Sequence, residues 1–145
     1  MNNVWVVVAS STRCRIFAQH KHNGPLEELE DLVHPEGRLH ERRLASDRPG
    51  RTFDRAGEGR HAKGNPVKPQ EQENIRFAKD VADKIDAARK RDKFERLVLI
   101  AEPGFLGQLR QDLPAATLQR LSAELHKNLV EADPDRIREA LPYRV

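Results

Sequence analysis

Two short apolar runs, and the helix between them, most constrain what this chain can fold into. Val4-Trp5-Val6-Val7-Val8-Ala9 and Leu97-Val98-Leu99-Ile100-Ala101 are continuous and without polar interruption. A strand with one face in water alternates, whereas a run without alternation belongs to a strand buried on both faces. Between the two runs, Gln70 to Arg91 places Ile75, Ala78, Ala82 and Ile85 along one helical stripe, widened by Phe77, Val81 and Ala88. Pro69 suits the first turn, with Glu71 and Glu73 at the positive end of the dipole and Lys90 and Arg91 at the negative end. Arg89 falls on the apolar face, where its stem can be buried and its head kept in water. A strand reached through a long helix returns parallel to the strand it left. The expectation is therefore an α/β sheet with the two runs as parallel strands.

The remaining elements follow from local signals. Arg13 to Ala18 alternates, with Cys14, Ile16 and Ala18 on one side and Arg13 and Arg15 on the other, and reads as a strand after the Ser10-Ser11-Thr12 turn. Leu26, Leu29 and Leu32 recur every three residues, as in a helix. They lie between Pro25 and Pro35 and follow Asn23-Gly24, so the segment is read as a third strand. Pro103 to Leu113 reads as a helix, and Pro114 opens another in which Leu118, Leu121 and Leu125 share a face. Asn128 to Ala132 is expected to be a short last strand, and Asp133-Pro134 begins a final helix. The sum is an α/β fold with a three-layer mixed five-stranded sheet, in the order β-β-β-loop-α-β-α-α-β-α.

At 145 residues the chain is expected to form a single domain, 1–145. No apolar run approaches the roughly 18–20 residues of a membrane span, and Met1-Asn2-Asn3 lacks the features of a secretory signal. Residence in the cytoplasm without membrane insertion is expected. The single cysteine, Cys14, excludes an intramolecular disulfide and a multi-cysteine metal site. No cofactor is implied by any motif.

The charge is concentrated. The net charge is +3, yet Gly37 to Asn65 holds Arg38, Arg42, Arg43, Arg48, Arg51, Arg55, Arg60 and Lys63 against Glu41, Asp47, Asp54 and Glu58. That stretch is +4 and the remainder −1. All but one of its cations are arginine, whose planar fork pairs with phosphate or carboxylate through two parallel bonds. It has no sustained period and contains five of the chain's eight glycines. Residues 36–66 thus form a long Arg/Gly-rich loop, and loops of that length in compact domains are commonly functional. Phe53 is its sole aromatic residue, so RNA contact there would be to backbone and shape rather than by base stacking.

Several blocks resemble a known family. They are His34-Pro35-Glu36-Gly37-Arg38-Leu39-His40-Glu41-Arg42, Ser46-Asp47-Arg48-Pro49-Gly50-Arg51, Phe53-Asp54 and Gly57-Glu58-Gly59-Arg60-His61. With Trp5 to Ala9, Arg76-Phe77-Ala78 and Leu97 through Gly107, they are similar to the bacterial host attachment protein family across nearly the whole chain. The resemblance implies a fold like the central, ribonuclease-H-like domain of eukaryotic and archaeal peptide-release factors. Those factors hydrolyse peptidyl-tRNA with a Gly-Gly-Gln loop that precedes the long helix, and no Gly-Gly-Gln occurs here. Two further positions depart from many relatives: Ser10 stands where an acidic residue follows the first strand, and Gln72 where a histidine opens the helix.

The local reading of Ser46 to Arg51 is a turn built on Pro49-Gly50, with Asp47 accepting hydrogen bonds. His40 and His61 with nearby carboxylates do not make a metal motif. A two-metal nuclease needs clustered carboxylates at strand ends, whereas Ala9-Ser10-Ser11 has none and Glu102 stands alone. Glu102-Pro103-Gly104-Phe105 follows a buried strand, a usual ligand position in α/β sheets, but the favoured reading is a tight strand–helix turn with Phe105 in the core.

The leading expectation is a non-enzymatic accessory factor that contacts ribosome, tRNA or other RNA. The contact residues would be Arg38, His40, Arg42, Asp47, Arg48, Gly50, Arg51, Arg55, Gly57, Gly59, Arg60 and His61, with no catalytic residue and no metal. One alternative is a protein-interaction factor acting indirectly in attachment to host cells, with a partner or a second copy bound through the loop. The other is a degenerate release-factor-like hydrolase.

Overall fold

The computed structural model describes residues 3–34 and 69–142, and the side chains among the latter from Glu73 onward. The elements are β1 (Val4–Ala9), β2 (Arg13–Gln19), β3 (Leu26–Val33), α1 (Pro69–Lys90), β4 (Arg96–Ile100), α2 (Pro103–Asp112), α3 (Ala115–Leu118), β5 (Leu121–Leu125) and α4 (Pro134–Ala140). The five strands form one mixed sheet in the order β3-β2-β1-β4-β5. β1 pairs antiparallel with β2 and parallel with β4, as the long connecting helix requires. No described helix is long and apolar enough to cross a membrane.

The sheet is covered on both faces. Trp5, Val7, Cys14, Ile16, Leu97 and Leu99 face α1 and α2, meeting Phe77, Val81, Ile85, Leu106 and Leu109. Val4, Val6, Val8, Phe17, Val98 and Ile100 face the other way, onto Leu129, Val130 and Ile137 of the C-terminal segment and α4. Each large side chain buried this way is worth roughly 1.5–3 kcal/mol, which explains why β1 and the Leu97 to Ile100 part of β4 carry no polar residue on either face. Burial pushes the Cys14 thiol up to about 12, so it serves the core and not chemistry.

Three sequence expectations need correction. The helix after Pro114 ends at Leu118, and the last strand is Leu121–Leu125 rather than Asn128 to Ala132. Leu97 pairs with Leu121 but Val98 pairs with Ala123, so Ser122 is an extra, bulged residue. Leu121 therefore joins the α1 face, while Ala123 and Leu125 join the other. A three–four leucine spacing that reads as one helical face is a strand that changes phase. The same device lies in β3. Ile16 pairs with Glu30 and Phe17 with Glu28, leaving Leu29 out of register and 42% exposed.

The second correction concerns Arg89. Its head is not in water: Nε donates to Thr117 Oγ1 at 2.8 Å and to Asp86 Oδ1 at 3.2 Å. The third is Ile75, expected in the core stripe of α1 but 43% exposed. It borders the cleft described next.

Candidate functional site: a cleft where the parallel strands end

β1 and β4 run parallel and end side by side, and a cleft of about 480 Å³ opens beyond them. Crevices at the carboxyl ends of parallel strands are the usual ligand positions in α/β sheets. Ser10 and Ser11 come from the turn after β1, Glu102 from the end of β4, Gly104, Phe105 and Gln108 from α2, and Asn74 and Ile75 from α1. That volume falls within the range of about 300–1,000 Å³ typical of small-ligand sites.

The walls are built by ordinary local rules. Pro103 occupies the first turn of α2, and its fixed φ starts the helix immediately after β4. Glu102 is the N-cap residue, yet its carboxylate makes no capping bond, and no described residue hydrogen-bonds it. Phe105 is half-buried, tilted against Phe77 with ring centroids 6.0 Å apart, so it belongs to the core edge and the cleft wall together. Ser10 Oγ lies 3.2 Å from Thr12 Oγ1, which ties down the turn. A Cβ added at Gly104 would meet nothing within 4 Å, and no described glycine has a positive φ, so neither packing nor backbone conformation demands glycine there.

His34 anchors the same rim. It is buried, its Nδ1–H donates to the Ser11 carbonyl at 2.8 Å, and its backbone N–H donates to the Thr12 carbonyl at 2.8 Å. In the sequence it was only the opening residue of a motif. The structure makes it a fixed post between β3, the β1–β2 turn and α1.

Arg38, His40, Arg42, Asp47, Arg48, Gly50, Arg51, Arg55, Gly57, Gly59, Arg60 and His61 all lie outside the described residues. What the structure places is their flanks. His34 bonds to Ser11 of the cleft, and α1 contributes Asn74 and Ile75 to it. Ser10, noted in the sequence for departing from an acidic residue, is part of the wall, as is Glu102. Among the described residues no group of three or more histidine, cysteine or carboxylate side chains is placed to hold a metal ion. Asn74 and Gln108 had no signal in the sequence beyond sitting on helices.

A family model described as "Protein required for attachment to host cells" matches residues 5–141. No curated protein matches the chain. Among solved structures, the Aquifex aeolicus Ppx/GppA phosphatase, type II variant, aligns with 86% of this chain at 15% identity and a TM-score of 0.39. The chain spans 35% of that protein's length, and a likeness of this size assigns no fold.

Proposed function

Since this chain belongs to the family of proteins required for attachment to host cells, we propose that it is a non-enzymatic accessory factor that contacts ribosome, tRNA or other RNA through its Arg/Gly-rich stretch. The observation that carries this reading is the placement of charge. Residues 37–65 hold +4 in a chain of net +3; on one side of that stretch His34 bonds to Ser11 of the cleft, and on the other Asn74 and Ile75 line it. Arginine forks neutralise phosphates and release counterions, giving affinity without sequence demand. The sheet order, two antiparallel hairpins followed by parallel additions, supports reading the fold as ribonuclease-H-like. The absence of Gly-Gly-Gln from the chain is why binding, and not peptidyl-tRNA hydrolysis, is proposed.

The test is ribosome co-sedimentation across a salt series, with the chain intact and with Arg48, Arg51 and Arg60 all replaced by alanine. The expected result is association that weakens steeply with salt and is lost in the triple variant. Salt-insensitive capture of a protein partner, unaffected by the three changes, would overturn this reading in favour of a protein-interaction role.

A further inference from the structure

We propose that the cleft at the ends of β1 and β4 takes one unpaired guanine base, stacked against Phe105 and Ile75 and read at its edge by Glu102, Asn74 and Gln108. This rests on the RNA reading above for its source of guanine, but the cleft is argued from its own chemistry.

The wall supplies two kinds of surface. Phe105 and Ile75 are apolar and line the cleft, although Ile75 sits on a helix whose neighbouring apolar residues are buried. An exposed isoleucine beside an aromatic ring is a platform for a flat ring, and unstacked bases in RNA are held on such platforms. The polar groups then decide which base. The carboxylate group of Glu102 offers acceptor oxygens. Among the bases, guanine is the one with two adjacent donors, N1–H and the exocyclic amino group, on its pairing edge. A carboxylate receives that pair through two parallel bonds. Uracil offers one donor there, and adenine and cytosine each set an acceptor beside their amino group. The amides of Asn74 and Gln108 supply N–H donors for the guanine carbonyl and N7.

The groups are also unspent. Among the described residues, nothing hydrogen-bonds the side chains of Glu102, Asn74 or Gln108, although Glu102 holds a position where a side chain usually caps a helix. A second cleft, of about 350 Å³ and lined by Trp5, Leu29 and Lys84, offers a contrast. Its carboxylate, Glu30, is already paired with Lys84 at 3.0 Å. Gly104 lines the cleft, and a Cβ added there would meet nothing within 4 Å. Gly107 is equally unobstructed but does not line the cleft, and so provides a control.

The experiment compares fluorescence-anisotropy titrations of the full chain with a uridine heptamer, the same heptamer carrying one central guanosine or one central adenosine, and free guanosine. The guanosine heptamer should bind about tenfold more tightly than the other two, the worth of one charge-assisted pair of bonds. Glu102→Gln should erase that preference, and Gly104→Leu should block it. Gly107→Ala should leave it intact. The Arg48, Arg51 and Arg60 triple-alanine variant should weaken all heptamers alike and preserve the ratio. Equal binding of the three heptamers by the unmodified chain would overturn the guanine proposal while leaving RNA contact standing. Binding of free guanosine, lost in Glu102→Gln, with no binding of any heptamer, would support the cleft and overturn the RNA reading. No binding of heptamers or guanosine would overturn both.

Discussion

The His34 imidazole lies flat on the Phe77 ring, with centroids 4.7 Å apart and planes within 1° of parallel. One residue ends the β2–β3 hairpin and the other begins the buried face of α1. Their stack, with the bond from His34 Nδ1 to Ser11, joins the flanks of the Arg/Gly-rich stretch to the wall of the cleft. An aromatic pair contributes about 0.5–1.5 kcal/mol beyond area burial, and a buried hydrogen bond a similar amount. His34→Ala should therefore lower unfolding free energy by about 2 kcal/mol in urea denaturation. His34→Phe should recover about half by restoring the stack alone. A loss indistinguishable from zero for His34→Ala would show that the flank is held by something else.

Arg15 secures the opposite face. Its Nε and Nη2 donate to Glu28 at 3.0 and 3.1 Å, and its Nη1 to the carbonyls of Val130 and Ala132 at 3.0 and 2.6 Å. The guanidinium sits 5.0 Å from the centre of the Phe17 ring. A single fork thus satisfies two backbone acceptors of an irregular segment while pairing with a carboxylate. Lysine carries the charge without the fork. Arg15→Lys should cost about 2 kcal/mol and speed amide exchange at Leu129 to Ala132 more than elsewhere. Uniform exchange with unchanged stability would refute the clamp.

Asp86 gives the fold a dependence on acid. The hydrogen bond from Thr117 Oγ1 at 2.6 Å, with Arg89 and Lys90 beside it, holds its carboxyl below the usual carboxylate range against the opposing effect of burial. A carboxyl lowered in the folded state stabilises above its unfolded value of about 4 and loses that contribution as pH falls through the folded value. Asp86→Asn should be less stable at pH 7 by about 1–2 kcal/mol, and its melting temperature should fall less between pH 5 and pH 2 than that of the unmodified chain. Parallel melting curves over that window would assign the acid sensitivity to other groups.

Much of this architecture is legible in the residues themselves. β1, β4 and the helix between them follow from two unbroken apolar runs and one amphipathic stripe, because burial on both faces leaves no room for a polar residue. Asp133 caps α4 as its position implies, accepting from the Arg136 N–H at 2.9 Å. β5 was hidden because the bulge at Ser122 turns a strand into a leucine pattern with helical spacing. The burial of Arg15 is not legible in the sequence, because the segment that covers it arrives from 115 residues away. The cleft was half visible. Glu102 and Gly104 stood at a strand end, but Asn74, Ile75 and Gln108 reach it only through the packing of α1 and α2 around the sheet.

The central claim is that the arginines of residues 36–66 hold RNA by its phosphates. It is tested most directly by the slope of log affinity against log salt for a single-stranded RNA heptamer. Each neutralised phosphate on a single strand contributes about 0.7 to that slope, so replacing Arg48, Arg51 and Arg60 with alanine should flatten it by about 2. Tight binding whose slope is the same in the triple variant would contradict the account.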